Sequence, residues 1–203
     1  AVADAVPERG SICDAGCGTG YLSLALTAHF PSVTAVDRSP EALAVLRRQA
    51  RDLSGLKIIE GDILEHPPET PYRSMVFCFF GSMEETISIA QQQCRGTVVL
   101  IKRSHPARAF SADAPHRNVS SYAEAYLTGR GIPFRARTMT VEMGQPLRSE
   151  AEALRYVRAY SPDPSAIRLS DVLPRLIRLD RPDFPFYLPR PREICIFSFE
   201  TVF

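Results

Sequence analysis

At 203 residues the chain fits one domain with a sizeable core, and its net charge of +1 offers no general attraction to nucleic acid or to an anionic membrane. No run approaches the roughly 20 apolar residues of a membrane span and no secretory signal is visible, so a cytoplasmic protein without membrane partners is expected. Five cysteines, an odd number with three in apolar strand-like runs, read as free thiols; Cys13 and Cys17, lacking a second pair and a nearby histidine, predict no metal.

The first half alternates short apolar runs with amphipathic helices, the pattern of an α/β doubly wound parallel sheet covered on both faces. Ser11 to Asp14 reads as a strand and Tyr21 to Ala28 as the helix after it. Val33 to Val36 is the second strand, followed by Ser39 as N-cap, Pro40 at the first helical position, and Leu43, Leu46, Ala50 and Leu53 as the apolar helix face. Leu56 to Glu60 is the third strand and Met75 to Phe80 the fourth, apolar throughout and therefore central. Ser82 with Glu85 opens a helix running towards Cys94; Thr97 to Ile101 is the fifth strand; Ser121 with Glu124 caps another helix that ends near Gly129 and Gly131. Phe134 to Glu142 and Glu193 to Val202 read as two closing strands suited to an edge or an antiparallel pairing.

Between those closing strands, Gly144 to Arg192 holds eight of the 17 prolines and nine arginines. Ser149 with Glu152 predicts a helix over Ala151 to Tyr160, a second helix is expected over Ser170 to Leu179 around Pro174, and the prolines from Arg181 to Arg192 favour an extended strip. Because a strand follows, 1–203 reads as a single domain with 144–192 as a helical and extended insertion covering the acceptor side of the sheet.

The stretch "CDAGCGTG", Cys13 to Gly20, follows the first strand. In an open parallel sheet such a turn brings backbone N–H groups and a helix N-terminus close to a ligand. Counting from Gly16, a dinucleotide fingerprint needs a sixth-position glycine where Tyr21 stands, and no Lys-Ser/Thr follows for a phosphate loop. What remains is D-x-G-x-G-x-G. Asp14 is placed to accept from an ammonium, Asp37 at the next strand end to take both ribose hydroxyls, and Asp62 in "EGDIL" to receive an exocyclic amine. Each aspartate alone reads equally as a helix cap. Together they suit a ligand with an amino-acid head, a ribose and an adenine.

From Ser11 to about Ile101 the sequence resembles the class I S-adenosylmethionine-dependent methyltransferases. "DAGCGTG" is similar to the family's first motif, which implies that Asp14, Ala15, Gly16, Cys17 and Gly18 face the methionine part of the cofactor. "VDRSPEAL" resembles the second motif and implies Asp37 on the ribose hydroxyls with Arg38 beside the adenine. "GDIL" resembles the acidic adenine motif and implies Asp62 at the amine with Ile63 on the ring. The resemblance implies a Rossmann-like three-layer αβα fold whose seven-stranded sheet is mostly parallel with an antiparallel last strand. It implies S-adenosylmethionine as cofactor and S-adenosylhomocysteine as product.

Methyl transfer from a sulfonium is an in-line displacement, so alignment of the acceptor supplies much of the rate and a base is needed only where a proton must leave. "CFFGSMEE" lacks the Asn/Asp-Pro-Pro-aromatic loop of amino-group methyltransferases. Phe79 is assigned to the cofactor and Phe80 to the acceptor, with a core role for Phe79 standing beside that reading. His105, after the fifth strand, is the candidate base, with an idle loop histidine as the alternative. Arg148, Tyr156 and Tyr160 are candidate acceptor contacts, the tyrosines one helical turn apart. Six acidic residues interrupt the arginines of 144–192, which leaves no continuous basic stripe and speaks against nucleic acid; a small-molecule acceptor and a monomer or homodimer are expected. An RNA or protein methyltransferase, and a regulatory protein that binds the cofactor without catalysis, are the alternatives.

Overall fold

The computed structural model describes residues 1–51, 53–104 and 119–201. Among these, residues 1–104, 119–138 and 194–201 form one compact unit and residues 139–193 a second. In chain order the strands are β1 (Ser11–Ala15), β2 (Ser32–Asp37), β3 (Leu56–Glu60), β4 (Tyr72–Cys78), β5 (Cys94–Arg103), β6 (Arg135–Glu142), β7 (Gln145–Leu147), β8 (Ile177–Arg178), β9 (Phe186–Leu188) and β10 (Pro191–Glu200). The helices are α1 (Val2–Ala5), α2 (Tyr21–Thr27), α3 (Pro40–Gln49), α4 (Met83–Gln93), α5 (Ser120–Gly129), α6 (Glu150–Ala159) and α7 (Leu169–Val172).

The first unit is organised on a seven-stranded sheet ordered β3-β2-β1-β4-β5-β10-β6. β1 to β5 pair in parallel and β10 runs antiparallel to β5, the arrangement expected from the sequence. Chain order reverses between β1 and β4, which opens a crevice at the carboxyl ends of those strands. β4 and the middle of β5 are buried on both faces, which is why they read as unbroken apolar runs. Met75, Phe77, Leu100 and Phe197 meet in the core, and the Phe134 ring stands edge-on to Phe197 at 5.6 Å.

Local chemistry sets the helix starts. Ser39 Oγ accepts from Ala42 N–H at 3.1 Å with Pro40 in the first turn, and Ser82 Oγ accepts from Glu85 N–H at the same distance. Three boundaries differ from expectation. Leu53 lies beyond α3, which ends at Gln49, and is 44% exposed instead of joining the helix face. The helix assigned to Ser121 starts one residue earlier, at Ser120, with Val119 at the uncapped N-terminus, so Ser121 falls inside the first turn. β4 stops at Cys78 because Phe79 turns to φ +54°.

The second unit has its own core of Leu147, Ala153, Val172 and Leu188. α6 is capped by Ser149, whose Oγ accepts from Glu152 N–H. The helix expected around Pro174 is shorter: α7 gives way to a tight turn over Leu173–Arg175, since proline offers no N–H, and then to β8. The proline strip contains β9, which pairs with β7 and β8 in a three-stranded antiparallel sheet.

Candidate active site

A cavity of about 310 Å³ lies in the first unit at the carboxyl ends of β1, β2, β3 and β4, a volume at the small end of ligand pockets. Gly16, Asp37, Arg38, Asp62 and Ile63 line it, joined by Val36, Gly61, Phe80, Gly81 and Glu85.

The glycine turn is shaped by its contacts with β2. Val36 O accepts from both Gly16 N–H (2.9 Å) and Cys17 N–H (3.0 Å), and Asp37 Oδ2 accepts from Gly18 N–H at 2.7 Å. These three donors are therefore committed within the protein. The loop offers a ligand its close backbone approach more than a row of open N–H groups. Gly16 sits at φ +70°, and a Cβ there would stand 2.4 Å from Phe80 Cδ2, so a glycine is required on both counts.

Asp37, at the end of β2, also accepts from Ser39 N–H through Oδ1 at 2.9 Å. Each carboxylate oxygen retains acceptor capacity, enough for a pair of vicinal hydroxyls. Asp62 receives Leu64 N–H at 2.9 Å and an ion pair from Arg38. The Leu64 N–H foremost, and then the Arg38 guanidinium, hold its carboxyl below the usual range. Ile63 is buried, and its carbonyl accepts from Gln93 Nε2 at 2.8 Å, fixing the loop after β3 from the side of α4.

Asp14 is buried one residue from the end of β1. Ser23 Oγ donates to its Oδ2 at 2.6 Å, while Oδ1 is buried without a hydrogen-bond partner among the described residues. Burial pushes its carboxyl up to about 6, with Asp37 repulsion adding to the shift and the Ser23 bond opposing it. A buried carboxylate oxygen without a donor is a costly group, of the kind that a bound donor or cation would satisfy. The linkage has a definite sign. Between the ordinary value of 3.8 and about 6 the folded protein holds a proton that the unfolded chain has lost, so its stability falls as pH rises across that window. Were a cationic group to sit against Asp14, it would favour the ionised carboxylate, so its affinity would be full above about pH 6 and would weaken as pH drops through it.

Ala15 is buried, and Cys17 packs towards the α3 core of Leu43 and Leu46. Burial, with Asp14 next, raises both the Cys17 and Cys78 thiols to about 12, which keeps them protonated packing groups. Phe80 lines the cavity with its ring 5.5 Å from that of Phe77, whereas Phe79 lies outside the lining, half-buried under the Arg103 guanidinium at 5.2 Å. Glu85 and Gly81 were not singled out as ligand contacts by sequence reasoning; Glu85 was read only as a helix-start residue. His105 lies outside the described residues.

In the second unit the Tyr156 and Tyr160 rings pack at a tilt of 51° with centroids 4.9 Å apart. Arg190 joins them, its Nη1 donating to Tyr156 Oη at 3.4 Å and its guanidinium lying 5.4 Å from the centre of the Tyr160 ring. Arg148 is elsewhere, over Phe184 at 5.4 Å. Sequence spacing found the tyrosine pair; nothing in it pointed to Arg190, which comes from the proline strip.

Residues 12–101 match the methyltransferase domain family. The fold is shared with the YcgJ protein of Bacillus subtilis, at 11% identity and a TM-score of 0.62 over 100% of this chain and 97% of that one. It is also shared with a precorrin-6y C5,15-methyltransferase from Geobacter metallireducens (14% identity, TM-score 0.55, 97% and 85% covered). An rRNA methylase from Streptococcus thermophilus is similar at 14% identity and a TM-score of 0.50, over 98% and 91% of the two chains. No curated protein matches the sequence. The sheet order and the antiparallel β10 are those of the fold shared with these structures, and the segment similar to the methyltransferase domain family runs from β1 into β5.

Proposed function

We propose that the chain moves a methyl group from S-adenosylmethionine to a small-molecule acceptor, in the cytoplasm and as a monomer or homodimer. The observation that carries the cofactor assignment is the orphaned Asp14 Oδ1 behind a glycine turn whose neighbouring cavity is lined by Asp37 and Asp62. Asp14 would hold the ammonium of the methionine part, with Ala15 to Gly18 along its chain. Asp37 would receive the ribose hydroxyls. Asp62 would take the adenine amine, with Arg38 beside it and Ile63 against the ring; Phe79 would act by supporting the loop in which Phe80 meets the ligand. When bound, S-adenosylmethionine supplies an electrophilic methyl on a sulfonium, and this chain's task is then to align the acceptor in line with it.

Acceptor choice is assigned to Phe80 and to residues 144–192, through Arg148, Tyr156 and Tyr160. Three arginines of that segment, Arg148, Arg178 and Arg190, lie over aromatic rings of their own unit, and Arg178 also pairs with Glu150 at 3.7 Å. That arrangement supports recognition of a small aromatic or carboxylated molecule over a phosphate backbone.

Methyl-labelled S-adenosylmethionine, incubated with the protein and separated metabolite, RNA and protein fractions of a cell extract, tests the acceptor class. Label in the metabolite fraction is the expected result. Label confined to RNA or protein would overturn the small-molecule assignment, and label in no fraction would favour a regulatory binder.

A further inference from the structure

The turn after β4 places the Phe80 ring against Gly16, and its backbone is unusual on both sides of that ring. Phe79 stands at φ +54° and Gly81 at φ +39°. A bulky residue in the left-handed region persists only where its surroundings over-determine it. Two bonds from β5 do so: Ile101 O accepts from Phe79 N–H at 3.0 Å, and Lys102 Nζ donates to Phe80 O at 2.8 Å. Lys102 is 0% exposed and lies in register with Cys195 of β10. A methionine or leucine would fill that place without the cost of burying an ammonium. The lysine gives a charge-assisted hydrogen bond to the carbonyl of Phe80, the residue whose ring lines the cavity.

We propose that Lys102 is a positioning residue of the cofactor cavity, fixing the Phe79–Gly81 turn through the Phe80 carbonyl so that the Phe80 ring rests on Gly16. This rests on the cofactor reading above. Lys102 does not reach the ligand; it acts through Phe80.

The test is calorimetric titration of S-adenosylhomocysteine into wild type, Lys102→Met and Lys102→Arg, beside thermal unfolding of each. Lys102→Met is expected to lose about tenfold in affinity while its Tm holds or rises, because a buried charge has gone. Lys102→Arg, which keeps a charged donor, should recover most of the loss. Unchanged affinity in Lys102→Met overturns the proposal, as does a parallel loss of affinity and Tm that arginine does not recover. Gly81→Ala leaves Lys102 in place and strains the same turn, so it serves if Lys102→Met does not fold; wild-type affinity in Gly81→Ala would equally overturn the proposal. Wild type that fails to bind S-adenosylhomocysteine instead refutes the cofactor reading itself.

Discussion

Asp37→Ala is expected to weaken S-adenosylhomocysteine binding by about 1–3 kcal/mol, or about 5- to 150-fold in Kd, in a calorimetric titration. Two consequences of the substitution point the same way. The ribose hydroxyls would enter the cavity without their acceptor. The Gly18 and Ser39 N–H groups, now bonded to the two carboxylate oxygens at 2.7 and 2.9 Å, would also lose theirs, loosening the glycine turn from the end of β2. Asp37→Asn separates the two effects, because its side-chain oxygen can still receive one of those N–H groups while it holds only half of the acceptor capacity for a diol. An alanine variant that binds as tightly as wild type would remove Asp37 from the site.

Gly16→Ala is expected to cost about 2–4 kcal/mol of folding stability in denaturant unfolding and to lower S-adenosylhomocysteine affinity at least about tenfold. The backbone at φ +70° strains any side chain, and the new methyl would stand 2.4 Å from Phe80 Cδ2 and 3.1 Å from Cε2. The ring must leave its place, taking one wall of the cavity with it. Gly18→Ala is the internal control: φ is +55°, but a Cβ there meets nothing within 4 Å among the described residues, so a backbone cost of about 1–2 kcal/mol is expected. Equal effects at the two glycines would show that the Phe80 contact does not shape the loop.

The sheet was legible because each of its inner strands carries its own signal. β1, β2 and β3 each end in or beside an acidic residue, β4 and β5 carry the apolar runs Met75 to Cys78 and Val98 to Ile101, and the intervening helices announce themselves by Ser39-Pro40 and by Ser82. The candidate site was legible on the β1 to β3 side for the same reason: Gly16, Asp37, Asp62 and Ile63 are short motifs at strand ends, and the structure gathers them around one cavity. On the β4 side the signal fades. In "CFF" nothing distinguishes the residue that ends the strand from the one that faces the cavity, and the choice is made by backbone dihedrals that two bonds from β5 impose. Glu85 looked like a capping residue and is also a cavity wall, because the start of α4 sits at the crevice. In the second unit β7, β8 and β9 span two or three residues each, too short for any alternation to register, and the core that Leu147 and Leu188 share is formed only in the folded unit. The Arg190 contact with Tyr156 joins residues 34 apart and leaves no mark in local spacing.

The central claim, that this cavity and the buried Asp14 beside it hold an adenosyl amino acid, is tested most directly by titrating S-adenosylhomocysteine into the wild-type protein at about pH 7.5 and about pH 5, on either side of the Asp14 carboxyl near 6. Saturable one-site binding at the higher pH, weaker binding at the lower pH and proton release on binding at the lower pH are the predicted results. No saturable binding at either pH, or an affinity that is unchanged or greater in acid, would contradict the account.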